Sequence, residues 1–145
     1  MLQVPARKAL ADVAAELPLE PVVRLGQAPG MTIRRIEPGP RMSQAVVHGG
    51  IAYLAGQVGA PGASVAEQTR EVLAQIDRLL AEAGSDKSRI LTATIWLADI
   101  GTFAEMNGVW DTWVDPANPP ARATGECRLA APEYKVEIIV IAACA

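Results

Sequence analysis

Two charged side chains near the C-terminus are the residues of this chain that could carry chemistry. Arg122 follows the paired prolines of the segment NPPARATGECR, where a strand is predicted to begin. Glu137 lies inside the apolar run KVEIIVI, where burying an unpaired carboxylate is costly. A guanidinium is a planar, permanently charged fork that binds carboxylates bidentately. Arg122 could therefore be a solvated residue at a strand end, it could form a cross-strand salt bridge with Glu137, or it could hold an anionic ligand; the residues alone favour the salt bridge.

Other chemical signatures are absent from the sequence. It contains no nucleophile-elbow motif, P-loop or dinucleotide-binding glycine motif. Its single histidine, His48, and its two cysteines, Cys127 and Cys144, are too few for a usual zinc site or a disulfide framework. We therefore expect no metal and no organic cofactor.

Composition restricts the partners that the protein can have. The chain has 145 residues, of which 50% are hydrophobic, and its formal net charge is -3. No cluster of Lys and Arg suggests a nucleic-acid surface, and no apolar run reaches the roughly 18 residues of a membrane span. The N-terminal segment is interrupted by charged residues, from Arg7 to Glu20, before the apolar core of a signal peptide could form. We expect a cytoplasmic protein that binds neither nucleic acid nor membrane.

The chain divides into a short appendage and one domain. Residues 1–30 contain the breakers LPLEP and GQAPG around little that could be buried, whereas MTIRRIEPG resembles the start of a strand. The predicted organisation is therefore an N-terminal appendage at residues 1–30 and a domain at residues 31–145.

The first half of the domain carries clear local signals. Two β-rich runs flank Gly49 and Gly50, which supply the positive φ angles of a tight hairpin turn. A helix with apolar residues at three- and four-residue spacing follows. Ser64 and Glu67 predict a capping box at its start, and Gly84 predicts its end. We interpret its polar face as solvated surface.

The second half repeats the alternation of strand and helix. In RILTATIWLAD, the residues Leu91, Ile95 and Leu97 are predicted to share one face of a strand. Thr102 and Glu105 predict a second capping box, and the apolar residues of FAEMNGVWDTWV recur at helical spacing. These aromatic and Met side chains are interpreted as core or interface.

Two closing strands, Arg122–Leu129 and Tyr134–Ala142, complete the domain. If they form a hairpin about the turn AAPE, Arg122 and Glu137 are close to register partners. The order β-β-α-β-α-β-β predicts an α+β fold, a mixed sheet with both helices on one face. The last strand is apolar at nearly every position, which predicts that the bare sheet face is covered by other copies of the chain, or that this strand is central.

At these residues the sequence resembles the RidA-like (YjgF) family of small enamine/imine deaminases. The similarity extends over residues 43–143 in five linked segments, SQAVVHGGIAYLAGQV, LLAEAGSDKSRI, TIWLADIGTFAEMNGVWDTWV, PPARA and KVEIIVIAA. The resemblance implies a chorismate-mutase-like fold and a homotrimer with clefts between subunits. It also implies hydrolysis of 2-aminoacrylate and related enamines or imines to a 2-keto acid and ammonia.

The resemblance also implies roles for individual residues. Arg122 matches the arginine that binds the substrate carboxylate, and Glu137 matches the glutamate that orients or activates water. Gly56 and Gln57 match the turn that lines the same cleft. Asn107 matches an asparagine of the second helix.

The sequence departs from the family pattern at two positions that would contact the side chain of the substrate. Ala55 stands where the family commonly has a serine, so a hydroxyl is missing. The family's GPYSQAV becomes GPRMSQAV, so that Met42, beside Arg41, replaces a cleft tyrosine. The carboxylate anchor is kept while the substrate-binding surface changes.

Three other functions compete with deamination. The same fold could bind small carboxylates without turnover, which the residues at positions 42 and 55 favour. A ribonuclease is also associated with this family, and the net negative charge counts against it. A purely structural trimer leaves Glu137 unexplained.

Overall fold

The computed structural model describes residues 32–145, so the predicted appendage at residues 1–30 lies outside the described residues. Residues 32–145 form a seven-stranded mixed sheet with two α-helices, an α+β fold. The strands are β1 (Arg34–Pro38), β2 (Ser43–His48), β3 (Ile51–Leu54), β4 (Gln57–Val58), β5 (Ile90–Leu97), β6 (Ala121–Glu126) and β7 (Val136–Ala143), and the helices are α1 (Val65–Glu82) and α2 (Phe103–Trp113). The predicted order is confirmed, with β1 and the short β4 added.

The strands are arranged in the order β1-β2-β3-β7-β5-β6, and β4 pairs with β7 beyond the end of β3. All neighbours are antiparallel except β5 and β6, which are parallel and joined through α2. None of the helices within residues 32–145 is long and apolar enough to span a membrane.

The predicted hairpin between the two closing strands is wrong. β5 lies between β6 and β7 and pairs with both of them. The composition of the strands explains this order, because β7 (VEIIVIAA) can be buried between two neighbours whereas β6 (ARATGE) offers little to bury and forms an edge. The alternative that the last strand is central is therefore confirmed.

The core lies between the helices and one face of the sheet. Alternate residues of the two central strands are buried there, and they pack against the apolar face of α1: Ala93, Ile95, Leu97, Val136, Ile138, Val140, Val72, Ile76, Leu79 and Leu80. The predicted strand face that included Leu91 is wrong at that residue. A bulge between Ile90 and Thr92 shifts the alternation, and Leu91 is exposed.

The local signals of the first half are confirmed. Gly49 and Gly50 have φ angles of 59° and 76° at the hairpin turn. Ser64 and Glu67 form the capping box of α1, and Gly84 follows its end with a φ angle of 77°.

The second predicted capping box, at Thr102 and Glu105, is wrong because its hydrogen bonds do not form. Thr102 precedes α2 as expected, but its side chain makes no cap hydrogen bond. Glu105 Oε1 instead accepts a hydrogen bond of 3.2 Å from the backbone N–H of Ala66, in the first turn of α1. The carboxylate therefore satisfies a free N–H of the neighbouring helix, where the helix dipole also favours negative charge.

A buried glutamine determines where β7 begins. Gln68 of α1 is fully buried, and its Nε2 donates to the carbonyl oxygens of Ala63 and Glu133 at 3.0 and 2.9 Å. Its Oε1 accepts from the backbone N–H of Lys135 at 2.9 Å. Lys135 stands two residues before Glu137, so Gln68 holds the approach to the strand that carries this carboxylate.

The opposite face of the sheet is apolar and carries no helix in the described chain. The strand register places Val46, Tyr53 and Ile141 in one row across this face, with Trp96 beside Glu137 in another. Tyr53 is 48% exposed. An apolar surface of this kind marks a site where another molecule is expected to bind.

We predict that Gln68→Leu lowers the free energy of unfolding by about 2–4 kcal/mol, since it leaves the Lys135 N–H and the Ala63 carbonyl without their partner, while the Glu133 carbonyl keeps only its bond from the Gly62 N–H. Urea denaturation followed by circular dichroism measures this loss. Gln75→Leu is the matched control on the same helix, because Gln75 donates only to the Val58 carbonyl oxygen, at 3.2 Å. Equal losses in the two variants would contradict the role of Gln68.

Candidate functional site

Arg122 lies on the helix-covered side of the sheet, at the start of the edge strand β6. It is the register partner of the buried Ala93, and parallel partners share a face. Its Nη1 donates a 2.8 Å hydrogen bond to Asn107 Oδ1. Its Cζ lies 5.2 Å from the ring centre of Trp110 and 5.7 Å from that of Phe103. These three partners share one face of α2, at positions i, i+4 and i+7.

Both ends of α2 are attached to α1. The carboxylate of Glu105 binds the Ala66 N–H at the first turn, and Trp113 Nε1 donates to Asp77 Oδ2 at 2.9 Å near the last. Asp77 is exposed, as expected for the solvated polar face of α1, and its carboxylate in addition accepts this hydrogen bond from Trp113. These contacts hold α2 in place and, with it, the three partners of Arg122.

Glu137 faces the other side of the sheet. It is the register partner of Trp96 and Val58, and within residues 32–145 no hydrogen bond or opposite charge perturbs its pKa. Burial alone raises the pKa of this carboxyl above its usual value. The group therefore keeps its proton to a higher pH than an exposed glutamate does.

Gly56 provides the space beside Glu137. A Cβ atom at position 56 would lie 2.8 Å from Glu137 Cδ and 2.9 Å from its Oε1. Any larger residue would push the carboxylate away, so glycine is required here for close approach rather than for an unusual φ angle.

Gln57 adjoins Gly56, whereas Met42 lies in a different segment of the chain. Gln57 is buried, and its Nε2 donates to the Ala55 carbonyl oxygen at 2.9 Å and to Gln44 Oε1 at 3.1 Å. Gln57 therefore serves to hold the turn in place. Met42 precedes Gln44 by two residues, in the connection between β1 and β2, and its side chain is 50% exposed.

The structure separates the predicted site residues into two half-sites. The anion half-site contains Arg122 and Asn107, and the carboxyl half-site contains Glu137, Gly56 and Gln57. The prediction that Arg122 and Glu137 are register partners is wrong. Arg122 is level with Val140, three positions beyond Glu137, which places the two Cα atoms about 14 Å apart from strand spacing and rise.

An odd number of positions also reverses the face of the sheet. Arg122 points to the helix side and Glu137 to the open side, so no salt bridge joins them, and one chain cannot present both to one small ligand. A site that uses both half-sites requires a second copy of the chain.

The sequence interpretation missed the aromatic partners of Arg122. It assigned Phe103 and Trp110 to core or interface, and Trp110 is indeed buried, but both rings also contact the guanidinium. The spacing of Phe103, Asn107 and Trp110 on one helix face was the available signal. Within residues 32–145, no cluster of three or more His, Cys, Asp or Glu side chains could hold a metal ion.

Comparisons with known proteins cover the part of the chain that carries both half-sites. A family model described as endoribonuclease L-PSP matches residues 32–144. A RutC family protein of Haemophilus influenzae is 52% identical over 118 residues, which are 79% of this chain and 100% of that protein. The 2-iminobutanoate/2-iminopropanoate deaminase of Bos taurus is 35% identical over 107 residues, which are 69% of this chain and 77% of the deaminase.

A solved structure is similar over the same region. A member of the YjgF protein family from Neisseria meningitidis matches with a TM-score of 0.78 and 52% sequence identity. The match covers 80% of this chain and 98% of that one.

We predict that Glu137→Gln raises the melting temperature at pH 7. The folded-state pKa of Glu137 is raised, so the ionised carboxylate disfavours the fold at neutral pH, and the neutral amide removes that cost. Below the ordinary glutamate pKa of 4.5 the wild-type carboxyl is protonated and the gain disappears. Thermal melts at both pH values measure the difference. A variant less stable than wild type at pH 7 would show that the carboxylate is paired.

Proposed function

The chain belongs to the endoribonuclease L-PSP family, also called the YjgF or RidA family, and from this premise we propose that it hydrolyses small enamines and imines such as 2-aminoacrylate to 2-keto acids and ammonia. The observation that carries the proposal is the pair of half-sites. One holds an arginine directed by an amide and two aromatic rings, and the other holds a desolvated carboxyl beside a glycine.

In this proposal the site forms between subunits of a homotrimer. Arg122 of one subunit and Glu137 of the next enter the same cleft, which overcomes their placement on opposite faces of one sheet. The exposed apolar rows of the open face supply the surface that such an assembly would bury.

Arg122 fixes the orientation of the substrate. Its guanidinium binds the carboxylate next to the reacting carbon, and Asn107 holds one end of the guanidinium. An imine already hydrolyses in water, so holding it against a positioned water and a proton carrier is sufficient for rate enhancement. Gly56 leaves Glu137 the space to be that carrier.

The proposed chemistry moves protons and breaks one C–N bond. Protonation of the enamine at its terminal carbon gives the iminium ion. Water attacks the iminium carbon, and Glu137 accepts a proton from that water. The carboxyl then passes the proton to nitrogen, the C–N bond breaks as Glu137 takes up the remaining hydroxyl proton, and ammonia leaves while the carbon keeps the oxygen as a ketone. Glu137 releases that proton to solvent, which replaces the proton consumed when the enamine was protonated. Burial suits Glu137 to this role because a raised pKa makes the carboxylate a better base.

A second function is favoured by the substitutions beside the carboxyl half-site. Ala55 offers no hydroxyl, and Met42 places an exposed, flexible thioether near the turn. These residues fit a regulatory protein that binds small carboxylates through Arg122 without turnover. A changed substrate side chain would fit them as well, since Met adapts to irregular shapes.

We predict that purified protein accelerates the release of pyruvate from 2-aminoacrylate generated in the assay. Arg122→Ala should lower kcat/KM by at least about 100-fold because the anchor is lost, and Glu137→Gln should lower kcat by about 100- to 10,000-fold. Arg128→Ala is the matched control, since Arg128 is an exposed arginine just after the same strand.

The same sample separates the two functions. Titration with 2-ketobutyrate measures binding to Arg122 apart from catalysis. Binding that needs Arg122 without any acceleration would replace the deaminase with the binding protein. Acceleration that survives Arg122→Ala would contradict both.

A further inference from the structure

Trp110 has a position that its role in the core does not require. The residue is only 5% exposed, yet its ring centre lies 5.2 Å from the Cζ of the exposed Arg122. A buried ring therefore borders a flexible, solvent-accessible cation. An arginine or lysine over an aromatic face is attracted by the ring's electrons, most strongly by tryptophan.

The ring is itself held by neighbours that belong to the scaffold. The centres of Trp110 and Trp113 are 5.3 Å apart with the planes inclined at 54°, a favourable tilted arrangement. Trp113 donates through Nε1 to Asp77 of α1 at 2.9 Å. The indole of Trp110 is thus supported from α1 through Trp113.

The Arg122 guanidinium has two kinds of contact, a hydrogen bond to an amide and cation–π contacts with two aromatic rings. Asn107 Oδ1 accepts from the Nη1 group, and the Trp110 and Phe103 rings lie within cation–π distance of Cζ. An exposed arginine otherwise samples many rotamers, and a ligand must select one of them. Rings contact the face of a guanidinium and leave N–H groups at its edge available for a carboxylate.

We propose that Trp110 is the positioning residue for Arg122, which it holds in the rotamer that presents an N–H edge to a carboxylate ligand. The inference rests on the proposed function for the ligand class, small carboxylates, and does not depend on turnover. Phe103 contributes from the exposed side, whereas the buried Trp110 provides the fixed reference.

A binding cycle tests this role. NMR titration with 2-ketobutyrate gives Kd for wild type, Trp110→Leu, Arg122→Ala and the double variant. Trp110→Leu should raise Kd by about 3- to 30-fold, the range of a cation–π contact, and Trp110→Phe should raise it less because a ring remains. In the Arg122→Ala background, Trp110→Leu should change Kd no further.

Met106→Ala is the control for damage to helix packing. Met106 is fully buried on α2, and within residues 32–145 the hydrogen bond and the cation–π contacts of the guanidinium go to Asn107, Phe103 and Trp110, so this variant should lose stability while Kd stays within about two-fold of wild type. The role is overturned if Trp110→Leu binds like wild type, if Met106→Ala weakens binding as much, or if wild type binds no 2-ketobutyrate.

A ligand-free measurement gives a second readout. The Nε–Hε signal of Arg122 should show a ring-current shift that Trp110→Leu reduces, with the Phe103 contribution remaining, and that Met106→Ala keeps. If wild type turns over no enamine but the Trp110 effects on Kd are present, the deaminase is wrong and the positioning role stands. If wild type turns over the enamine but Trp110→Leu changes neither Kd nor the Arg122 signal, the deaminase stands and the positioning role is wrong.

Discussion

The position of β5 between β6 and β7 determines what each charged residue of the site can reach. Because β5 is hydrogen-bonded to both strands, Arg122 and Glu137 are two strands apart, and the register offsets them by three positions. An even offset would have put both side chains on one face. With the odd offset, the arginine meets α2 and the carboxyl meets the open face. The monomer therefore holds two half-sites, and assembly is the step that would make them one.

Each half-site is made precise by contacts outside it. Gln68 joins α1 to the segment just before β7, and thereby sets the position of Glu137. Glu105 and Trp113 attach α2 to α1, and α2 in turn holds Arg122. The first helix is thus the common reference for two groups that point in opposite directions. A shift of α1 would therefore displace both Arg122 and Glu137.

Local features of this fold could be predicted from sequence because local residues cause them. The Gly49-Gly50 turn and the Ser64 cap depend on backbone preferences of a few adjacent residues, and both are confirmed. Strand order depends on which distant strands meet, so the hairpin between β6 and β7 was wrong, although the apolar composition of β7 already favoured a central place. Arg122 and Glu137 stood out from the residues themselves, by a charge at a strand start and a charge inside an apolar run, and family resemblance supplied their predicted roles. Their opposite faces follow only from register, which no local pattern specifies.

The central claim is that one catalytic site takes Arg122 and Glu137 from different subunits. Co-expression of two tagged variants, Arg122→Ala and Glu137→Gln, and purification of the mixed oligomers test it directly. In a trimer with clefts between neighbours, each mixed trimer of the two inactive chains contains one complete cleft out of three, so the purified mixed oligomers should have about a third of wild-type activity. The account predicts this recovery of 2-aminoacrylate hydrolysis. Mixed oligomers as inactive as either parent, beside an active wild type, would contradict it.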